Sequence, residues 1–145
     1  MPEKDYSATP LPKKLGIKEG SRIAIVDAPE GFAATLTPMP DGVEIASRVS
    51  GHLDVVVVFA TRLTTLERRF GPAHRALEYD GGLWVCWPKK AAKVETDLTF
   101  DIVQGMGLEA GLVDNKIASV SDVFQAMRFV YRLKDRPARA GRRSV

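Results

Sequence analysis

One stretch of the sequence decides the fold: LEYDGGLWVCWPKK, residues Leu77–Lys90. In order, it predicts the end of a helix, a turn at Gly81 and Gly82, an apolar strand as far as Trp87, and a basic loop. A short apolar run without alternating polar positions is typical of a strand covered on both faces, as in a parallel sheet. The stretch therefore predicts one unit of a repeating α/β chain, with a basic loop at the carboxyl end of a buried strand.

The segments on the amino-terminal side repeat this unit. Arg22–Asp27 and Asp54–Ala60 are apolar and rich in β-branched residues, which predicts two more central strands. Thr61 is predicted to cap a helix over Arg62–Leu77, because its hydroxyl suits the N-cap position. The Gly71-Pro72 pair is expected to kink or split that helix.

On the carboxyl-terminal side, Thr96 or Asp97 is predicted to cap a helix that runs to about Met106. Val113–Val120 and Phe124–Leu133 predict two strands, and their short connection pairs them as an antiparallel hairpin at one edge. Alternating strands and helices predict parallel pairing with right-handed crossovers. The predicted fold class is therefore α/β: a Rossmann-like three-layer sandwich with a mostly parallel sheet and an antiparallel C-terminal hairpin.

Length and composition set limits on this fold. The 145 residues predict one α/β domain over residues 13–134, between a flexible N-terminus (1–12) and a basic flexible tail (135–145). Cys86 is the only cysteine, which excludes an internal disulfide and favours a reducing compartment. The longest apolar run, Val55–Ala60, is far shorter than the ~20 residues of a membrane span. We therefore expect a cytoplasmic protein that does not bind membranes.

The positive charge is concentrated near the carboxyl terminus. Arg132–Val145 contains six basic residues and one acidic residue, whereas the whole chain has a net charge of +3. A tail of this kind is typical either of a solvated, solubilising end or of an arm that contacts nucleic acid. The sequence leaves both interpretations open.

Residues 54–134 resemble the corresponding half of a Rossmann-fold methyltransferase. The likeness lies in the helix that ends at Leu77, the Gly81-Gly82 pair before a strand, and the Gly111-Leu112 entry into a closing hairpin. The resemblance implies the methyltransferase fold and, as cofactor, S-adenosylmethionine or a nucleotide.

The chain also departs from that family. The loop after the first strand, Asp27–Gly31, has one glycine and a proline, although glycines let backbone N–H groups approach a cofactor closely. Ala46–Arg48 supplies no acidic residue for a ribose, and Ala60–Arg62 replaces the family's polar-Pro-Pro-aromatic motif. The residues themselves therefore predict no cofactor.

A second resemblance covers nearly the whole chain. The pattern of the Domain of Unknown Function 3052 family, a family of short bacterial proteins, is matched at Leu11–Lys18, Ala28–Phe32, Asp80–Lys90, Asp97–Thr99, Gly111–Asp114 and Arg128–Val130. The resemblance implies a stand-alone bacterial protein and implies no activity.

A candidate ligand site lies where the strands end, because ligands of open α/β sheets bind beyond the carboxyl ends of the strands. Three loops supply its residues: Asp27, Glu30, Thr61, Arg62, Trp87, Lys89 and Lys90. The three cations suit a phosphate or a carboxylate, and Trp87 suits stacking on a ring. The alternative is that the two lysines form a solvated loop and Trp87 is a core anchor.

The other chemically interesting residues have simpler interpretations. Asp27 and Glu30 have two interpretations. Either they act as an acid/base pair, or Glu30 only complements the positive end of a helix dipole, which is the interpretation that we favour. Cys86 is predicted to be a buried structural thiol on the strand face opposite Trp87. The residues predict no catalytic group and no metal site.

Phe124, Phe129 and Tyr131 are predicted to form an interface, because exposed edge strands recruit partners. The partner would be another protein or a second copy of the chain. Our preferred hypothesis for function is a non-catalytic module that binds a small anionic ligand or a partner protein. The alternatives are a divergent S-adenosylmethionine-dependent methyltransferase-like enzyme and a nucleic-acid contact through the arginine-rich tail.

Overall fold

The computed structural model describes residues 9–136, which form one six-stranded sheet with helices. The strands are β1 Arg22–Val26, β2 Glu44–Ile45, β3 Leu53–Phe59, β4 Leu77–Pro88, β5 Leu112–Ser119 and β6 Phe124–Tyr131. The helices are α1 Leu11–Lys14, α2 Leu63–Ala76 and α3 Phe100–Glu109, and short 3-10 turns cover Ala33–Thr35, Lys90–Ala92 and Leu133–Asp135.

The sheet has the order β2-β1-β3-β4-β6-β5. The first four strands in this order are parallel, and β6 is antiparallel to both β4 and β5. Helices α2 and α3 bury Leu66, Phe70 and Val103 on one face of the sheet. The other face is covered by α1 and by the segment that carries Phe32 and Leu36. This arrangement confirms the predicted Rossmann-like α/β fold with an antiparallel C-terminal hairpin.

The Gly81-Gly82 pair does not form the predicted turn, because it lies inside the twelve-residue strand β4. The register of β4 against β3 shifts beside the two glycines. A Cβ on Gly81 would lie 2.7 Å from the Asp54 carbonyl oxygen, and a Cβ on Gly82 would overlap the Arg128 guanidinium. The glycines therefore allow neighbouring groups to approach the strand closely, which is a common reason, other than a turn, for glycine in a sheet.

Helix α2 begins at Leu63 and continues through Pro72 without a break. Arg62 occupies its N-cap position, so the prediction that Thr61 caps this helix is wrong. The cap comes instead from a distant loop, since Asp97 Oδ1 accepts the Leu63 N–H at 2.7 Å.

Helix α3 is likewise capped by a residue other than the predicted ones. The Thr99 hydroxyl accepts the Ile102 N–H at 3.2 Å. Thr96 instead donates its hydroxyl to the Thr61 carbonyl oxygen at 2.6 Å. Together with the Asp97 bond, this contact ties the loop after β4 to the loop after β3.

The predicted hairpin is present, but β5 is its edge strand and β6 lies inside the sheet between β4 and β5. Phe129 of β6 is fully buried, and its ring occupies the space that a Cβ on Gly107 of α3 would need. The prediction that Phe129 contacts a partner is therefore wrong, because this side chain belongs to the core. Phe124 and Tyr131 are half-buried, and their place in an interface stays a prediction.

The predicted terminal segments fall mainly on residues 1–8 and 137–145, which lie outside the described residues. Helix α1 begins at Leu11, within the segment 1–12 that the sequence predicts to be flexible, and Pro12 is buried. At the other end, the Arg136 guanidinium donates to the Tyr131 carbonyl oxygen at 2.9 and 3.1 Å. Over residues 9–136, no helix is long and apolar enough to cross a membrane.

Candidate functional site

The strand order reverses at the carboxyl edge of the sheet, between β1 and β3. From β1 the chain passes to β2 on one side and then to β3 on the other, and ligands of open α/β sheets bind outside such a switch point. We call the cavity there the switch crevice; its volume is about 200 Å³, and it is lined by Asp27, Pro29, Phe59, Ala60, Thr61, Thr65 and Phe124. This volume is below the range of about 300–1,000 Å³ that is typical of small-molecule pockets.

Two phenylalanine rings, those of Phe59 and Phe124, line the switch crevice, and the Phe32 ring packs against Phe59. Phe59, at the end of β3, is only 2% exposed. Its ring lies edge-to-face with Phe32 at 4.8 Å and with Phe124 at 5.1 Å between ring centroids. Each such pair stabilises the packing by about 0.5–1.5 kcal/mol beyond the area that it buries. We call these three packed rings the plug, because Phe59 and Phe124 occupy space in the crevice at the carboxyl ends of the strands.

Asp27 is held in an ion pair with Arg69 of α2. Its two carboxylate oxygens accept from Nε at 2.9 Å and from Nη2 at 3.3 Å. The backbone turns sharply at Asp27, where φ is 57°. Glu30 is exposed and lines neither the switch crevice nor the cavity described next, and its role beside Asp27 stays a prediction.

A larger cavity of about 530 Å³ lies at the carboxyl end of β4. We call it the β4-end cavity. Its apolar lining consists of Trp87, Pro88, Val94, Leu98 and Phe100. Its polar lining consists of Lys89, Lys90, Thr96, Thr99, Asp101 and Gln125. Apolar and polar side chains thus contribute about equally in number to the lining, and the volume falls within the range typical of small-molecule pockets.

Several hydrogen-bond donors of the β4-end cavity lack a partner in the described part of the chain. The first N–H groups of α3, those of Phe100 and Asp101, have no acceptor within the helix. The Trp87 side chain is 2% exposed, and its indole N–H makes no hydrogen bond within residues 9–136, whereas that of Trp84 is bonded. Lys90 is exposed at the same cavity. A helix N-terminus beside a lysine favours an anion.

The structure divides the predicted site residues between two cavities. Asp27 and Thr61 line the switch crevice, whereas Trp87, Lys89 and Lys90 line the β4-end cavity. Three loops that the sequence predicts to meet at one site thus contribute to two separate cavities, and Glu30 and Arg62 line neither of them.

The remaining cations are engaged by other groups. Arg62 is exposed and forms an ion pair with Glu95 at 3.7 Å. The Lys89 ammonium donates to Ser119 Oγ at 2.8 Å, which leaves Lys90 as the lysine better placed to bind a ligand in the β4-end cavity. Thr99 and the start of α3 are absent from the predicted site, because the sequence predicts the cap two or three residues too early.

Cys86 is fully buried on the sheet face opposite Trp87, as predicted. Burial raises the pKa of its thiol, so Cys86 stays protonated as a core side chain. In the part of the chain that the structure describes, no cluster of three or more His, Cys, Asp or Glu side chains is placed to hold a metal ion.

The sheet order and the reversed hairpin define a Rossmann-like α/β protein with the fold of S-adenosylmethionine-dependent methyltransferases. The chain is similar to the precorrin-6y C5,15-methyltransferase of Geobacter metallireducens, at 12% identity and a TM-score of 0.54, with 88% of each chain covered. It is also similar to a SAM-dependent methyltransferase of Aquifex aeolicus, at 16% identity and a TM-score of 0.51, again with 88% of each chain covered.

A third similar structure is DhpI in complex with SAH, at 10% identity and a TM-score of 0.57, where 88% of this chain and 85% of DhpI are covered. At such identities the likeness shows the fold alone. No family model and no curated protein matches the sequence. The resemblance to the Domain of Unknown Function 3052 family therefore stays a prediction, whereas the methyltransferase-like fold is confirmed.

Proposed function

We propose that this protein is a non-catalytic binding module for a small anionic ligand, which occupies the β4-end cavity. The observation that supports the proposal is the different filling of the two cavities at the carboxyl edge of the sheet. Phenylalanine rings reduce the switch crevice to about 200 Å³, whereas the β4-end cavity has about 530 Å³ and contains Lys90 and the first N–H groups of α3.

The lining of the β4-end cavity suggests the chemistry of the ligand. Val94 and Phe100 are 39% and 45% exposed, and with Trp87 they offer an apolar wall to the body of a ligand. Lys90 and the start of α3 suit one acidic group. Because the Asp101 carboxylate also lines the cavity, a ligand with a single acidic group and an apolar body fits better than a polyphosphate.

The proposal is tested by isothermal titration calorimetry with phenyl phosphate and benzoate as probes. We expect Lys90→Gln to weaken binding about tenfold or more, because a hydrogen bond to a charged group contributes about 1.5–3 kcal/mol. Lys93→Gln is the matched control, since Lys93 ends the same 3-10 turn but does not line the cavity. Binding of neither acid, or equal weakening by the two variants, would contradict the proposal.

A divergent S-adenosylmethionine-dependent methyltransferase-like enzyme is the second candidate, and the fold shared with known methyltransferases favours it. This hypothesis requires the cofactor to enter the switch crevice, so that Phe124 has to leave it. S-Adenosylhomocysteine should then bind Phe124→Ala more tightly than the wild type. Under our preferred proposal, neither protein binds it.

Three further functional predictions stay open. Binding of a partner protein and a cytoplasmic location stay predictions from the sequence. The nucleic-acid contact is predicted for the arginine-rich tail, of which residues 137–145 lie outside the described residues.

A further inference from the structure

Two cations, Lys116 of β5 and Arg128 of β6, lie on the sheet face opposite α2 and α3 and line neither cavity. A third, Arg136, follows β6, and its charge acts on Arg128. Lys116 and Arg128 are paired in the register of the two antiparallel strands, so their side chains leave the same face. We call these three residues the hairpin cation cluster.

The sheet holds the Arg128 side chain in a defined position. Arg128 is paired with Trp84 of β4, and its guanidinium lies over Gly82, where any Cβ would overlap it. The side chain is half-buried as a result. A long basic side chain that extends into solvent does not require a glycine beneath it, because it does not lie against the sheet.

A β-bulge adds a polar group beside this position. The register of β5 against β6 shifts between Asp114 and Lys116, and the extra residue is Asn115. Its side-chain oxygen accepts from Arg128 Nη1 at 3.4 Å. Bulges often re-aim a side chain beside a functional site. Here the bulge turns a neutral acceptor towards the guanidinium and leaves the cation without a neutralising partner.

The charges of the cluster have no carboxylate partner in the part of the chain that the structure describes. Within residues 9–136, neither Lys116, Arg128 nor Arg136 forms an ion pair with a carboxylate. Burial and then the nearby Arg136 charge lower the pKa of Arg128 from its ordinary value. Like charges directly opposite in a sheet are destabilising, and a guanidinium has five N–H donors, of which Arg128 uses one. A bound anion would reduce the repulsion between these like charges and accept hydrogen bonds from the remaining N–H donors of Arg128.

We propose that the hairpin cation cluster is a phosphate-binding site, in which the fixed Arg128 fork binds the phosphate oxygens and Lys116 and Arg136 add charge. Arginine is the side chain that suits bidentate recognition of phosphate. The phosphate group belongs either to a polynucleotide backbone or to a free phosphate compound. The sequence beyond Arg136 contains three more arginines and no acidic residue, which favours the polynucleotide.

Binding of a fluorescent single-stranded oligonucleotide, measured by anisotropy over a series of salt concentrations, tests the site. Arg128→Gln should weaken binding several-fold and reduce the slope of log K against log salt by about 0.7, the loss of one contact to a single strand. Arg128→Lys keeps the charge and should still weaken binding, because it removes the planar fork. Arg68→Gln, at an exposed position of α2, is the control with the same loss of charge.

Inorganic pyrophosphate, titrated by calorimetry, separates the two sources of the phosphate group. Oligonucleotide binding that depends on Arg128 supports the proposal with a polynucleotide as ligand. Pyrophosphate binding alone, lost in Arg128→Gln but kept in Arg68→Gln, supports it with a free phosphate compound. Binding of neither probe, or equal losses in Arg128→Gln and Arg68→Gln while both variants keep the wild-type melting temperature, would overturn it.

Discussion

The switch crevice and the β4-end cavity lie at the same edge of one sheet, but different loops close them. The crevice is lined by Phe59 and by Phe124 from the start of β6, and Phe32 from the loop after β1 packs against Phe59. The cavity is instead bordered by the irregular segment between β4 and α3, whose apolar side chains leave a space of about 530 Å³. In this fold, therefore, the strand order determines where cavities can form, and the loop side chains determine which of them stays open.

The largest expected effect comes from removing the centre of the plug. Phe59→Ala should lower the free energy of unfolding by about 3–5 kcal/mol, because it leaves a cavity among buried rings. Phe100→Ala, at the rim of the β4-end cavity, is the matched change; its side chain is 45% exposed, so we expect a loss of less than about 1 kcal/mol. Urea unfolding measures both values. Similar losses at the two positions would show that the crevice and the cavity are equally packed.

An intermediate effect is expected where the two regions are joined. Asp97→Ala should cost about 1 kcal/mol, since it removes the carboxylate that caps α2 at the Leu63 N–H. Thr61→Ala is the control. The sequence predicts that Thr61 caps α2, whereas in the structure Thr61 precedes the helix but does not cap it. We expect it to cost less than about 0.5 kcal/mol. A larger loss for Thr61→Ala than for Asp97→Ala in chemical denaturation would contradict the observed cap.

The smallest effect is expected at the mouth of the crevice. Arg69→Gln breaks the ion pair with Asp27. The Arg69 side chain is 42% exposed and the Asp27 side chain is 37% exposed. Exposed pairs of this kind contribute about 0–1 kcal/mol, and salt screens them. The loss should therefore be below about 1 kcal/mol and should shrink in high salt. A loss above about 2 kcal/mol, independent of salt, would contradict this expectation and mean that the ion pair holds the crevice closed.

The strands were predictable from the sequence because their signals are local. Apolar, β-branched runs identify β1 and β3, and the short connection before Phe124 identifies the hairpin. The Gly81-Gly82 pair predicts a turn but lies in a strand, because the groups that require glycine there, Asp54 and Arg128, come close only after the sheet has formed.

The candidate site was predictable only in part. The residues at the strand ends follow from the alternation of strands and helices, but their division between two cavities depends on contacts between distant segments. The α2 cap shows this most clearly, since Asp97 lies 34 residues beyond Leu63. The plug could not be predicted either, because Phe32, Phe59 and Phe124 come from three separate elements and show no pattern in sequence.

The most direct test of the central claim is to map the bound probe by amide chemical shifts. Labelled protein is titrated with phenyl phosphate, and the perturbed backbone amides are assigned. Our account predicts that the changes cluster at Lys90, Thr99 and Phe100, around the β4-end cavity. Changes clustered at Asp27, Thr61 and the residues of the switch crevice would contradict it, because they would show that the plug opens and that the crevice is the ligand site.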